Sequence, residues 1–387
     1  MFSLLKRIWI KKKTICHVGA WGGNFGDSIL QNSIRRQLCE LDDRIEFVYY
    51  NCQKTEFTLE LIHQINKSCD VMIVGGGGLI FNRPQDNSKS GWQWNIDINY
   101  IDHIKIPIVV YGIGYNKFEY DKNDFQSVTR EHLLKTIDKS ALFSVRNTGT
   151  KEYLVKLGGD ASKIDVIPDP GMFAQPSFIK IPGIATNKVK IGINWTTDRE
   201  NQTFPEPWNV TKERFLCELV KAINKISGKY DIQVFYIGHM GYEFDKAIIE
   251  YFKSYLDIKP IIIDECLCEI YPPGDGEKVG YLVDIYRQMD LVLGMRGHSN
   301  IVSFGQNTPC IAIGSHRKLR YFKKDIHDEE NIIDIREMNN INDKYIYGKI
   351  EYNLAHLSAQ KMRLIGEFAR QRHIEDEFNK KVISLLH

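Results

Sequence analysis

Short apolar runs alternate with longer amphipathic segments along most of the chain. The runs at 14–18, 45–50, 71–74, 106–111, 141–145 and 164–167 are rich in Ile, Val and aromatic residues and read as strands. Between them, apolar residues at helical spacing predict helices over 28–41, 59–67, 124–137 and 148–157. Uniformly apolar strands that give way to Gly and then to helices are what a parallel sheet covered on both faces requires. The stretch 174–187, with Pro176, Pro182 and Gly183, lacks periodicity and reads as a linker. The alternation then restarts, with strands at 189–194, 232–237, 260–263, 291–294, 310–313 and 332–335 and helices at 212–226, 243–255, 279–288 and 299–305.

This pattern predicts an α/β protein of two Rossmann-like, doubly wound domains, 14–175 and 188–345, facing one another across a cleft. From 352 to 387 the only Gly is Gly366 and there is no Pro, while apolar residues keep helical spacing. That stretch predicts C-terminal helices packed on the body and bridging both domains. Residues 1–13 form a basic leader ahead of the first strand.

Composition agrees with this picture and narrows the partners. A chain of 387 residues is long for one core and suits two domains. A formal net charge of +2 provides no broad positive field, so no nucleic-acid partner is expected and any anionic ligand must be held by local cations. Eight cysteines show no disulfide framework, and several lie inside apolar runs, as reduced buried thiols of a cytoplasmic protein do. Cys266 and Cys268 form the one close pair, with no second pair at zinc spacing, so no metal is expected. The five cations of residues 1–13, interleaved with apolar residues, suit either a solvated leader or peripheral contact with the inner face of a membrane.

Chemistry-bearing residues gather where strands end. Gly294-Met-Arg-Gly-His-Ser-Asn300 places a fixed cation, Arg296, a titratable imidazole, His298, and a helix-capping hydroxyl, Ser299, at one strand terminus. Arg317 and Lys318 follow the next strand. In the first half, three Gly-bearing strand ends imply one shared cleft: Gly19-Ala-Trp-Gly-Gly-Asn-Phe-Gly-Asp-Ser28, Gly75-Gly-Gly-Gly78 and Tyr111-Gly-Ile-Gly-Tyr-Asn116. The first of these matches neither the dinucleotide glycine spacing nor a phosphate-binding loop with its Lys. Asp27 and Ser28 cap the following helix, or else Asn24 and Asp27 hold a sugar hydroxyl or act in proton transfer. Gly76 and Gly77 suit close backbone passage of a substrate. Arg146 can fork onto a carboxylate or phosphate or form a salt bridge, and Asp169 can orient a ligand or hold the interdomain turn.

These motifs resemble those of the polysaccharide pyruvyl transferase family. Gly22-Gly-Asn-Phe-Gly-Asp-Ser-Ile29, Val74-Gly-Gly-Gly-Gly-Leu79, Tyr111-Gly-Ile-Gly114, Ser144-Val-Arg-Asn147, Val166-Ile-Pro-Asp-Pro170 and Gly294-Met-Arg-Gly-His-Ser299 occur in the family's order, with Pro309 and Lys318 downstream. The resemblance implies a GT-B-like fold and transfer of a pyruvyl group from phosphoenolpyruvate, with no further cofactor, to a glycan or lipid-linked oligosaccharide, closing a pyruvate ketal. On that reading Arg146, Arg296 and Lys318 clamp the anionic donor, with Asn24, Gly76, Gly77 and Ser299 completing the binding set. His298 moves protons and Asp27 positions the acceptor. The family often carries Leu where this chain has Gly297. The alternatives that remain open are a GT-B glycosyltransferase with a nucleotide-sugar donor and a catalytically silent glycan-binding relative.

Overall fold

The computed structural model describes residues 11–20, 25–81, 87–119, 125, 127–198, 200–205, 211–270, 277–336 and 341–387. Most of the basic leader, and Asn24, lie outside the described residues. Two six-stranded sheets, parallel throughout, form the body. The first joins β1 (Lys13–Gly19), β2 (Ile45–Asn51), β3 (Val71–Ile80), β4 (Ile108–Tyr115), β5 (Leu142–Val145) and β6 (Asp165–Val166) in the order β2-β1-β3-β4-β5-β6. The second joins β7 (Val189–Asn194), β8 (Ile232–Tyr236), β9 (Ile261–Ile262), β10 (Leu291–Gly294), β11 (Cys310–Gly314) and β12 (Ile332–Asp334) in the order β12-β11-β10-β7-β8-β9. Both sheets are those of Rossmann-like domains.

Local chemistry sets the helix starts. Thr58, Asn147, Thr211 and Asn342 each accept a hydrogen bond from the backbone N–H three residues on, which satisfies a donor the helix cannot. Each such cap stabilises its helix by about 1 kcal/mol.

The structure departs from the sequence pattern where glycine carries the backbone. β3 does not end at Val74 but runs on through Gly75–Gly78 to Ile80. Gly75 and Gly77 have φ of 151° and 102°, and the pairing with β4 shifts register between Gly77 and Ile80. A Cβ on Gly75 would sit 2.0 Å from the Tyr111 carbonyl oxygen, so only glycine lets the two strands stay paired here. His17 secures the bulge from β1, its Nε2 lying 2.8 Å from the Gly75 carbonyl oxygen. The helix Arg317–Asp325 has no counterpart in the predicted elements, because Lys and Arg interrupt its short apolar face.

Helices tie the two domains together. The first helix, Phe25–Leu41, belongs to the N-terminal sheet, yet its Phe25 and Ile29 are buried with Ile237, Leu282 and Val302 of the C-terminal domain. The helix Asp343–Ala355 places Ile346, Ile350 and Leu354 in the C-terminal core. The next, Leu357–Ser384, packs Leu364 against Phe304 and Phe322 and then Phe378 and Val382 against β1 and β3 residues of the other domain. At 28 residues it is about 42 Å long, enough to strap one domain to the other. Among the described residues no helix is long and apolar enough to cross a membrane.

Candidate functional site

In each sheet the strand order reverses at one point, between β1 and β3 in the first and between β7 and β10 in the second. A crevice opens beyond the carboxyl ends of parallel strands at such a point. Here the two crevices face each other and merge into one cleft of about 340 Å³. Its N-terminal wall carries Ala20 and Asp27 after β1, Gly78 and Leu79 in β3, Asn116 after β4 and Arg146 after β5. Its C-terminal wall carries Thr196 after β7, His239 after β8, Arg296 and His298 after β10, and Lys318 after β11.

The loop after β10 is built to hold its side chains still. Asn194 Oδ1 accepts from the Arg296 backbone N–H at 3.1 Å, and Asn300 Nδ2 donates to the carbonyls of Gly294 and Arg296 at 2.9 Å each. The helix Gly297–Gly305 starts there, so His298 sits in its first turn with the ring against the first helix of the other domain. A Cβ on Gly26 would lie 1.9 Å from His298 Nδ1, so that glycine is the space the imidazole occupies. His298 Nε2 is shielded from solvent and has no hydrogen-bond partner among the described residues.

Electrostatics keep the imidazole neutral. Burial, followed by the positive charges of Arg146, Lys318 and Arg296, holds the His298 pKa well below the ordinary histidine value. At neutral pH the site therefore presents an unprotonated ring nitrogen rather than an imidazolium.

The three cations are held in different ways. Arg146 donates from Nη1 to Asp169 Oδ2 at 2.9 Å in a pair that is almost fully buried, and Asp169 also accepts from the Gly171 backbone N–H. The salt bridge and the cleft-facing position are thus both realised. Arg296 donates from Nη2 to Asp198 Oδ1 at 2.6 Å, leaving its Nε buried and unpartnered among the described residues. Lys318 reaches across the cleft to Asn116 Oδ1 at 3.1 Å. A Cβ on Gly297 would meet the Lys318 Cε at 3.4 Å, so a Leu side chain at 297 would compete with the lysine stem for the same volume.

Asp27, Arg146, Arg296, His298 and Lys318 therefore line one cleft, while other expected site residues do not. Ser299 is fully buried and is not the helix cap: Arg296 holds that position, and the Ser299 hydroxyl, a turn inside, donates back to the Arg296 carbonyl at 2.7 Å. Gly76 and Gly77 face Ile34 and Leu30 of the first helix, and Gly78 is the glycine at the cleft wall. Ser28 is buried inside the first helix, which begins at Phe25 rather than Ser28.

Other cleft residues escaped the sequence reading. Gln53 donates to Gln93 at 2.9 Å, and the Phe118 ring lies tilted against His316 at 4.2 Å between centroids. Gln53 and Thr196 follow strand ends, a signal that could have found them, whereas Gln93 reaches the wall from the long excursion between β3 and β4 and left none. Among the described residues no group of three His, Cys, Asp or Glu side chains is arranged to hold a metal ion.

Two Rossmann-like domains with their strand ends facing across a cleft, strapped by a C-terminal helix, define the GT-B class of architecture. Solved structures of that build superpose on the whole chain. S. aureus MnaA with UDP matches at a TM-score of 0.53 and 12% identity, covering 91% of each chain. The UDP-GlcNAc 2-epimerase of Neisseria meningitidis bound to UDP-GlcNAc matches at 0.54 and 10%, covering 97% of this chain and 99% of that one. Anabaena HepE with UDP and glucose matches at 0.54 and 11%, covering 96% and 98%. At such identities the likeness is one of fold alone. No curated protein sequence matches the chain. The model of the polysaccharide pyruvyl transferase family matches residues 24–317, and the chain belongs to that family.

Proposed function

We propose that the protein transfers a pyruvyl group from phosphoenolpyruvate to a sugar of a cell-surface polysaccharide or its lipid-linked precursor, closing a ketal. The observation that carries this reading is the neutral imidazole of His298 standing among Arg146, Arg296 and Lys318 in the interdomain cleft. Phosphoenolpyruvate presents a carboxylate and a phosphate close together, and a forked guanidinium and an ammonium from two domains suit that pair. Binding between domains also fixes donor and acceptor in one frame, which removes much of the entropic barrier.

The reaction begins with transfer of a proton from solvent to the methylene carbon, which makes C2 electrophilic. A sugar hydroxyl adds to C2 and gives up its proton, the C2–O bond to phosphate breaks with its electron pair, and a second hydroxyl adds to the resulting cation and passes its proton to the released phosphate, while the first hydroxyl proton returns to solvent. His298, unprotonated at neutral pH, accepts the hydroxyl proton. Asp27, on the opposite wall, orients the acceptor.

The test is incubation of purified protein with phosphoenolpyruvate and galactoside or mannoside acceptors, following phosphate release and the ketal methyl by NMR. His298→Ala is expected to lose roughly 10²- to 10⁴-fold in turnover with donor binding retained. Full turnover in that variant would refute the role of His298. Thermal stabilisation by UDP- or GDP-sugars with none by phosphoenolpyruvate would replace the reading with a nucleotide-sugar glycosyltransferase.

A further inference from the structure

The C-terminal wall of the cleft holds several polar atoms that are buried and have no partner among the described residues. They are Thr196 Oγ1, His239 Nδ1, Arg296 Nε and His298 Nε2. Thr196 and His239 are 8% and 1% exposed, and all four residues line the cleft. Buried polar groups without partners are uncommon in folded proteins, and a group of them on one wall marks a place for a ligand.

Proton bookkeeping shows what kind of ligand. The Tyr286 hydroxyl is buried, and its hydrogen-bond partner is His239 Nε2 at 2.6 Å. With no other acceptor for the phenol hydrogen among the described residues, the arrangement that satisfies it has Nε2 accepting and the neutral ring carrying its own hydrogen on Nδ1. Burial, with help from Arg296 and His298, holds His239 far below its ordinary pKa, so the ring stays neutral. His239 Nδ1–H and Arg296 Nε–H are therefore donors, and the Thr196 hydroxyl can be one. They come from three separate side chains, in the segments after the neighbouring strands β10, β7 and β8. The same place is the start of the helix Gly297–Gly305, whose N-cap residue, Arg296, makes no side-chain cap. A set of donors spread in space matches a tetrahedral oxyanion better than a planar carboxylate, which favours two parallel donors from one fork.

We infer that Thr196, His239 and Arg296, at the N-terminus of the helix Gly297–Gly305, form a phosphoryl-binding subsite on the C-terminal wall, with Tyr286 fixing the tautomer of His239. This subsite rests on the reading given under Proposed function and adds to it, since Arg146 approaches from the opposite wall and Lys318 from the segment after β11. A phosphoryl group could come from two sources: the phosphate of the donor, or the phosphate that links a sugar acceptor to its carrier.

The experiment measures binding by calorimetry to the full chain with three probes: inorganic phosphate, phosphoenolpyruvate and a short-chain glycosyl diphosphate. His239→Ala and Thr196→Val are each expected to weaken phosphate binding by about tenfold. His239→Asn, which restores an N–H donor near the Nδ1 position, is expected to stay within about threefold of wild type. Losses shared by phosphate and phosphoenolpyruvate assign the subsite to the donor. Losses shared by phosphate and the glycosyl diphosphate, with phosphoenolpyruvate unaffected, assign it to the acceptor. Unchanged binding of all three probes in a folded His239→Ala protein, judged by its unfolding transition, overturns the inference. Binding of phosphate and glycosyl diphosphate without any phosphoenolpyruvate binding or turnover leaves the subsite standing and removes the pyruvyl transfer reading instead.

Discussion

Replacing Glu375 by Gln should stabilise the protein at neutral and alkaline pH and remove a pH dependence that the wild type carries. Glu375 lies on the strap helix Leu357–Ser384 and is fully buried. Tyr111 Oη is 2.6 Å from both Glu375 Oε1 and Asn379 Oδ1. One phenol hydrogen serves one of these oxygens, so a protonated Glu375 that donates to Tyr111, which donates in turn to Asn379, satisfies both contacts. The other carboxyl oxygen, Oε2, has no partner among the described residues.

Burial pushes the Glu375 pKa from 4.5 to about 8, with Asp169 adding to the rise and Tyr111 and Arg372 opposing it. The sign follows from proton counting. Between pH 4.5 and about 8 the folded protein holds a proton that the unfolded chain has released, so stability falls as pH rises through that window and levels off above it. The slope is about 1.4 kcal/mol per pH unit, and the full cost above pH 8 is about 5 kcal/mol. Gln keeps the shape and the donor, and it carries no proton to lose. Urea unfolding of both proteins from pH 5 to pH 9 should show the stability advantage of Glu375→Gln growing with pH to several kcal/mol. A difference that stays constant across this range would mean that Glu375 is already ionised in the fold, and the reasoning would fail.

Two further substitutions probe the cleft. Asp169→Asn strips the buried Arg146 guanidinium of its counter-charge and should cost about 3–5 kcal/mol of stability, read from denaturant midpoints; an unchanged midpoint would show that the pair is not buried as described. Gly26→Ala forces a methyl group into the volume of the His298 ring, so it should depress kcat far more than it lowers the melting temperature, and wild-type kcat would show that His298 need not hold this position.

Much of this protein is determined by its sequence alone. The runs that became β7 and β10 are matched residue for residue, because a strand buried on both faces is apolar along most of its length and the polar or turn-forming residues around it mark its ends. The ordered glycine and arginine motifs also placed Arg146, Arg296, His298 and Lys318 at strand ends, where parallel sheets leave their crevice. What only the tertiary structure decided concerns partners far apart in the chain. Gly75 to Gly78 read as a strand end at the cleft, yet they continue β3 as a bulged strand because the Tyr111 carbonyl of β4 lies against Gly75. Ser299 read as a cap, yet helix phase turned its hydroxyl back to Arg296. Arg146 met Asp169, Gly26 made room for His298, and Tyr286 met His239. Periodicity reports which face of an element is buried. It does not report which distant side chain will share that burial, and the chemistry of the cleft depends on that second fact.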